Sequence, residues 1–164
     1  MTRPELEHLI RAAATIADDE DIVVIGSQAI LGQFPDAPAS MRVSAEADVY
    51  PLHHPERADL IDGSIGELSP FHDTYGYYAQ SQTTAFLPEG WKDRLIVVQN
   101  QNTRGARGLC LEIYDLLAAK AVADREKDID FISEAARHGL AGRDKLLNRR
   151  GILGGENVHE MVKF

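Results

Sequence analysis

Ile22-Val23-Val24-Ile25-Gly26-Ser27 and, after a gap, Ala45-Glu46-Ala47-Asp48-Val49-Tyr50 are the two stretches that decide the fold. The first is a short apolar run ending in a Gly-Ser turn, the pattern of a buried strand that leads into a helix. The second is a strand carrying acids at i and i+2. Strand side chains alternate faces, so Glu46 and Asp48 point the same way. Two carboxylates on one face repel unless a positive charge lies between them, and a hard divalent cation suits that place. A Gly-Ser turn at a helix start offers free backbone N–H groups and a hydroxyl to a phosphate. Gly26 and Ser27 are therefore expected at a phosphate, Glu46 and Asp48 at a metal.

Around these stretches the chain alternates helical and strand patterns. Residues 4–17 repeat apolar side chains at near-helical spacing, with Thr2 as cap and Glu5 at the capping-box position. Residues 18–21 read as a solvated acidic turn, and residues 34–38 as a Pro-bounded loop. His53 and His54 read as helix-entry residues before a helix over 55–65, not as metal ligands. Residues 70–80 hold Phe71, Tyr75, Tyr77 and Tyr78 and are expected as a core helix, with a base-stacking platform as the sharper alternative. Strands are expected at 95–98 and 108–113, paired as an antiparallel hairpin.

The longest helix is expected over residues 114–137. On a helical wheel Leu117, Ala121, Phe131 and Ile132 share a sector with Lys120, Asp124 and Asp128. Charges on a core-facing stripe need partners. They are either a structural ion pair or the lining of a cleft, with lysine meeting phosphate and an acid meeting metal or substrate. A last helix is expected over 140–150, ended by Gly151, with a tail that is mobile or packed on a partner. The fold class is α/β, a small mixed sheet flanked by helices. Residues 1–137 form the core, and residues 138–164 add a helix and tail.

Composition sets the class. The 164 residues fit one domain, and 44% hydrophobic with 26% charged residues is ordinary for a globular chain. No apolar run approaches the length of a membrane span, and no secretory leader is visible. The single Cys110 excludes an internal disulfide and fits a reducing cytoplasm. A net charge of −9 argues against a general nucleic-acid coat protein. Two basic clusters, Arg104 with Arg107 and Arg143, Lys145, Arg149 with Arg150, read mainly as surface solubility.

The Gly26-Ser27 turn followed by Glu46-Ala47-Asp48-Val49 resembles the nucleotidyltransferase superfamily that includes DNA polymerase beta. It differs in having Glu where the first acid is usually Asp, and in a longer gap. The stretch from Asp115 through Lys120 to Lys127-Asp128 is similar to the second half of minimal bacterial nucleotidyltransferases of the AbiEii and MenT toxin type. The segments around His72–Gly76 and 87–94 resemble a related, functionally unassigned branch. The resemblance implies that Mg²⁺ or Mn²⁺ is held by Glu46 and Asp48, and that an NTP is the substrate. It makes Lys120 and Asp128 catalytic: the lysine on the transferring phosphate or pyrophosphate, the aspartate orienting or deprotonating the acceptor hydroxyl or completing the metal site. The implied acceptor is an RNA such as a tRNA 3′ end, or a protein hydroxyl, and a toxin of this type would have an antitoxin partner. The alternatives are a non-catalytic module that binds a nucleotide or partner, and a small-molecule nucleotidyltransferase.

Overall fold

The computed structural model describes residues 1–82, 84–153 and 159–160, with only the backbone described for 150–153 and 159–160. The order is α1 (Arg3–Ala17), β1 (Asp21–Ile25), α2 (Ile30–Gln33), β2 (Glu46–Pro51), α3 (Ala58–Ile65), α4 (Pro70–Tyr75), β3 (Tyr78–Ser81), β4 (Phe86–Leu87), β5 (Ile96–Val98), β6 (Arg107–Cys110), α5 (Ile113–Ala123), α6 (Glu126–Arg137), α7 (Arg143–Leu153) and β7 (His159–Glu160). Five strands form one mixed sheet in the order β3-β2-β1-β6-β5. β1 lies at its centre, antiparallel to β2 and parallel to β6. All five β1 residues are buried, which explains the apolar run 22–25 that follows Asp21. β5 and β6 pair antiparallel, as expected for the hairpin. β4 and β7 form a separate two-stranded ribbon.

α1 forms as its sequence dictates. Thr2 accepts from the Glu5 N–H, and the reciprocal half of the capping box is present. Leu6, Leu9, Ile10, Ala13 and Ala17 are fully buried beneath it. Each large aliphatic side chain so buried contributes about 2 kcal/mol by transfer from water. Glu7 lies on the same buried face, and it is matched by Arg3 and by the amides of Asn100 and Asn102.

Four expectations change on contact with the structure. Of the acids at 18–21, Asp18 and Glu20 are solvated as expected, but Asp19 and Asp21 are buried and engaged. Asp19 accepts from the backbone N–H groups of His53 and His54, and Asp21 takes a two-pronged hydrogen bond from Arg107 at 2.6 and 2.7 Å. Residues 70–80 are not one core helix. Gly76 turns left-handed at φ 77° and ends α4, so Tyr78 enters β3 while Phe71, Tyr75 and Tyr77 gather around His8. Residues 114–137 are two helices. Asp124 adopts φ 51° and stops α5, which a short polar side chain tolerates better than most. The last helix starts at Arg143, later than expected, and passes through Gly151 to Leu153. Gly154 and Gly155, and the rest of the tail apart from β7, lie outside the described residues, as does the Arg150 side chain.

The Arg107–Asp21 clasp predicts a pH effect. Arg107, and then His53 at 2.8 Å, hold the Asp21 carboxyl below its ordinary value of 3.8 although burial opposes this. A carboxyl lowered in the folded state adds stability that is present above its unfolded value and lost as pH falls through its folded value. Asp21→Asn is thus expected to cost about 2 kcal/mol near neutrality, the scale of a charged hydrogen bond lost at a buried site. The difference from wild type should shrink in strong acid, where both side chains are neutral. Urea midpoints at about pH 7 and about pH 3 check this, and an equal deficit at both would count against it.

Candidate active site

The site lies beyond the end of β1. Asp48 pairs in register with Ile25, so its side chain arrives where β1 gives way to Gly26. Ala47 and Val49 face the core, while Glu46 and Asp48 share the other, partly open face. Gly26 has φ 65° and ψ −173°, a region open in practice only to glycine. A Cβ built there would lie 2.0 Å from the Asp48 Oδ2. The glycine is therefore required twice, by its backbone and by the carboxylate pressed against it. Ser27 follows as the first residue of a 3₁₀ turn, Ser27–Ala29, which runs into α2.

α5 and α6 close the other side. On one straight helix, Lys120 and Asp128 would be about 12 Å apart along the axis. The break at Asp124 folds them together instead, and the Lys120 Nζ donates to Asp128 Oδ1 at 3.1 Å. The same ammonium donates to the Ser27 Oγ at 2.9 Å and sits 4.4 Å above the Phe131 ring. Lys120 is 7% exposed and Asp128 fully buried. Asp124 itself stands exposed at the break and takes no part in the stripe. Arg125 completes the group, donating to Asp128 Oδ2 at 2.6 Å and to Oδ1 at 3.2 Å.

The electrostatics follow from these neighbours. Burial, reinforced by the close Glu46 carboxylate, pushes the Asp48 carboxyl up to about 7, against the pull of Lys120 and Lys127. The Tyr78 hydroxyl donates to Glu46 Oε2 at 2.9 Å, and burial beside that acid raises the phenol to about 12. Burial lowers the Lys120 ammonium, partly offset by Asp128. Burial alone would raise Asp128, but Arg125 and Lys120 outweigh it and hold its carboxyl low. Cys110 is buried with its thiol pushed up to about 12, consistent with an inert sulfur.

All six residues expected from the sequence, Gly26, Ser27, Glu46, Asp48, Lys120 and Asp128, line one cavity of about 610 Å³. That volume is within the range of small-molecule sites. The acid pair supplies hard oxygen donors on one face of the cavity. Such a pair fits Mg²⁺, which is commonly held by one or two carboxylates together with substrate phosphates. Among the described residues no group of three Asp, Glu, His or Cys side chains is arranged to hold a metal. Tyr78 and Arg125 escaped the sequence reading. Tyr78 meets Glu46 only through the β2–β3 register, whereas Arg125 and Asp128 are i,i+3 neighbours, a spacing that the sequence does show. None of Phe71, Tyr75, Tyr77 and Tyr78 lines the cavity, so the aromatic segment is no base platform there.

A mixed sheet with a Gly-Ser turn after its central strand and an acid pair on the next strand defines a nucleotidyltransferase-like fold. The chain belongs to the family described as nucleotidyltransferase of unknown function (DUF6036), whose sequence profile matches residues 4–147. No curated protein and no solved structure matches the sequence. Among the described residues no helix is long and apolar enough to cross a membrane.

Proposed function

We propose that the protein transfers a nucleotide from a magnesium-bound NTP to a hydroxyl of an RNA or a protein. The observation that carries this reading is the convergence of Ser27, Lys120 and the Glu46–Asp48 pair on one cavity, from three separate parts of the chain. Gly26 lets the backbone approach the phosphates, and the Ser27 N–H and hydroxyl donate to them. Glu46 and Asp48 would hold Mg²⁺ or Mn²⁺, which when bound neutralises and orients the triphosphate. The Lys120 ammonium, desolvated and pointed at Ser27, stabilises charge that moves onto the pyrophosphate. The acceptor oxygen bonds to the α-phosphorus, pyrophosphate departs with the bridging oxygen, and the hydroxyl proton passes to water.

The resemblance offers Asp128 three roles: orienting the acceptor hydroxyl, deprotonating it, or completing the metal site. Its oxygens are engaged by Lys120 and Arg125, which favours a further one, holding the lysine in place. Arg125 and Lys127 line the cavity and offer positive charge to an anionic acceptor. The resemblance to AbiEii and MenT toxins supports a tRNA 3′ end as that acceptor, with an antitoxin protein as partner. A buried free thiol suits a cytoplasmic setting. A second reading, a non-catalytic binding module, draws on the same pair: Lys120 and Asp128 neutralise each other without any ligand.

The deciding experiment incubates the protein with each α-labelled NTP, Mg²⁺, and total tRNA or cell extract. Label in a macromolecule together with released pyrophosphate supports transfer. No pyrophosphate with any NTP across these acceptors makes the binding module the better reading, and label on a small molecule points to a small-molecule nucleotidyltransferase.

A further inference from the structure

The cavity lining is of two chemical kinds. Ser27, Glu46, Asp48, Lys120 and Asp128 are charged or polar. Ala85, Phe86 and Leu87 from the β4 segment and Val122 from α5 give it an apolar part. Alternation along β4 sends Leu87 into the core, fully buried, and leaves Phe86 outward. Phe86 is 48% exposed and Val122 43% exposed, so both keep apolar surface in water at a cavity wall. β4 pairs antiparallel with β7 at Phe86 and Leu87.

We infer that this apolar wall seats the nucleobase of the NTP by its face and prefers purines to pyrimidines. The inference rests on the transferase reading and deepens it. A triphosphate anchored at Ser27 and Lys120 leaves its nucleoside in the rest of the same cavity, where Phe86 offers a π face and Val122 an aliphatic one. Stacking on an aromatic ring tolerates any base, because every base has such a face. Ala85, Phe86, Leu87 and Val122 carry no hydrogen-bonding side-chain group, so this wall reads face area and not edge pattern. The larger purine face buries more apolar surface and gains more. Gln82 and Thr84 are its polar neighbours in the lining, and the Gln82 amide nitrogen is already spent on the Thr84 carbonyl at 2.7 Å.

Equilibrium dialysis with Mg²⁺ and ATP, GTP, CTP, UTP or inorganic tripolyphosphate tests this. Tripolyphosphate reports the phosphate end alone. ATP and GTP are expected to bind more tightly than CTP and UTP, and all four more tightly than tripolyphosphate. Phe86→Ala should weaken ATP and GTP about tenfold, the order of a lost aromatic stack, and leave tripolyphosphate unchanged. That unchanged binding also shows that the variant is folded. Phe86→Trp should retain ATP, and Val122→Ser should weaken it to a smaller degree. Tripolyphosphate binding as tightly as ATP, pyrimidines matching purines, or full ATP affinity in Phe86→Ala would each overturn the base wall while leaving the phosphate site standing. Failure of all five ligands to bind the wild type would overturn the transferase reading and the base wall with it.

Discussion

Gly26→Ala is expected to abolish nucleotide transfer almost completely while the sheet survives. The new methyl would stand 2.0 Å from the Asp48 Oδ2 and 2.9 Å from its Cγ. The backbone at φ 65° and ψ −173° would also carry a side chain it does not accept, a strain on the order of 1–3 kcal/mol. Relief requires moving either the Ser27 turn or the Asp48 carboxylate. A displacement of about 1 Å at a reacting centre is enough for a loss on the order of 100-fold. Labelling activity should therefore fall at least that far, with the far-ultraviolet circular dichroism spectrum unchanged. Calorimetry with Mg²⁺ and nucleotide should show binding lost in parallel. Wild-type activity in this variant would remove Gly26 and Asp48 from the site.

Asp48→Ala and Lys120→Ala are each expected to lower transfer by roughly 10³-fold, the scale of removing one preorganised charge-stabilising group. Their double variant should fall little further. Groups that act as one unit on one phosphate are not additive, since the first loss already disables the step that the second assists. Lys120→Ala leaves Asp128 still bonded to Arg125, so a folded product is expected. Pyrophosphate release measured for the three variants decides the matter. Multiplying losses would indicate independent roles, and full activity in Lys120→Ala would keep the transferase but discard the lysine.

The sequence carried the first half of the site more clearly than the second. Gly26, Ser27, Glu46 and Asp48 sit in short local patterns, a strand run into a turn and a period of two, and local patterns survive folding. Lys120 and Asp128 were singled out as charges on one helical stripe, and they do meet, but through a break that the stripe conceals. A single left-handed residue at Asp124 leaves helical periodicity on both sides nearly intact, and aspartate occurs in helices often enough to give no warning. The acids at 19 and 21 misled for another reason. Their partners, the backbone N–H groups of His53 and His54 and the side chain of Arg107, lie up to 86 residues away, and no local window contains them. Tyr78 and Phe86 depend on register and on strand pairing, which are properties of two segments at once.

The bond between Ser27 and Lys120 spans 93 residues, and β6 joins β1 only after four other strands have been made. On a ribosome adding about 5–20 residues per second, that separation is a delay on the order of 5–20 s. For most of it, until β6 is made, β1 has β2 on one side and an unpaired edge on the other, the kind of surface that chaperones cover and that aggregates seek. Non-local pairing of this sort also slows folding once the chain is complete. The turn and the acids are made early, but the Lys120 ammonium that bonds Ser27 comes only with α5. A nascent or truncated chain that stops before β6 leaves that edge bare, and one that stops before Lys120 lacks the ammonium that bonds Ser27.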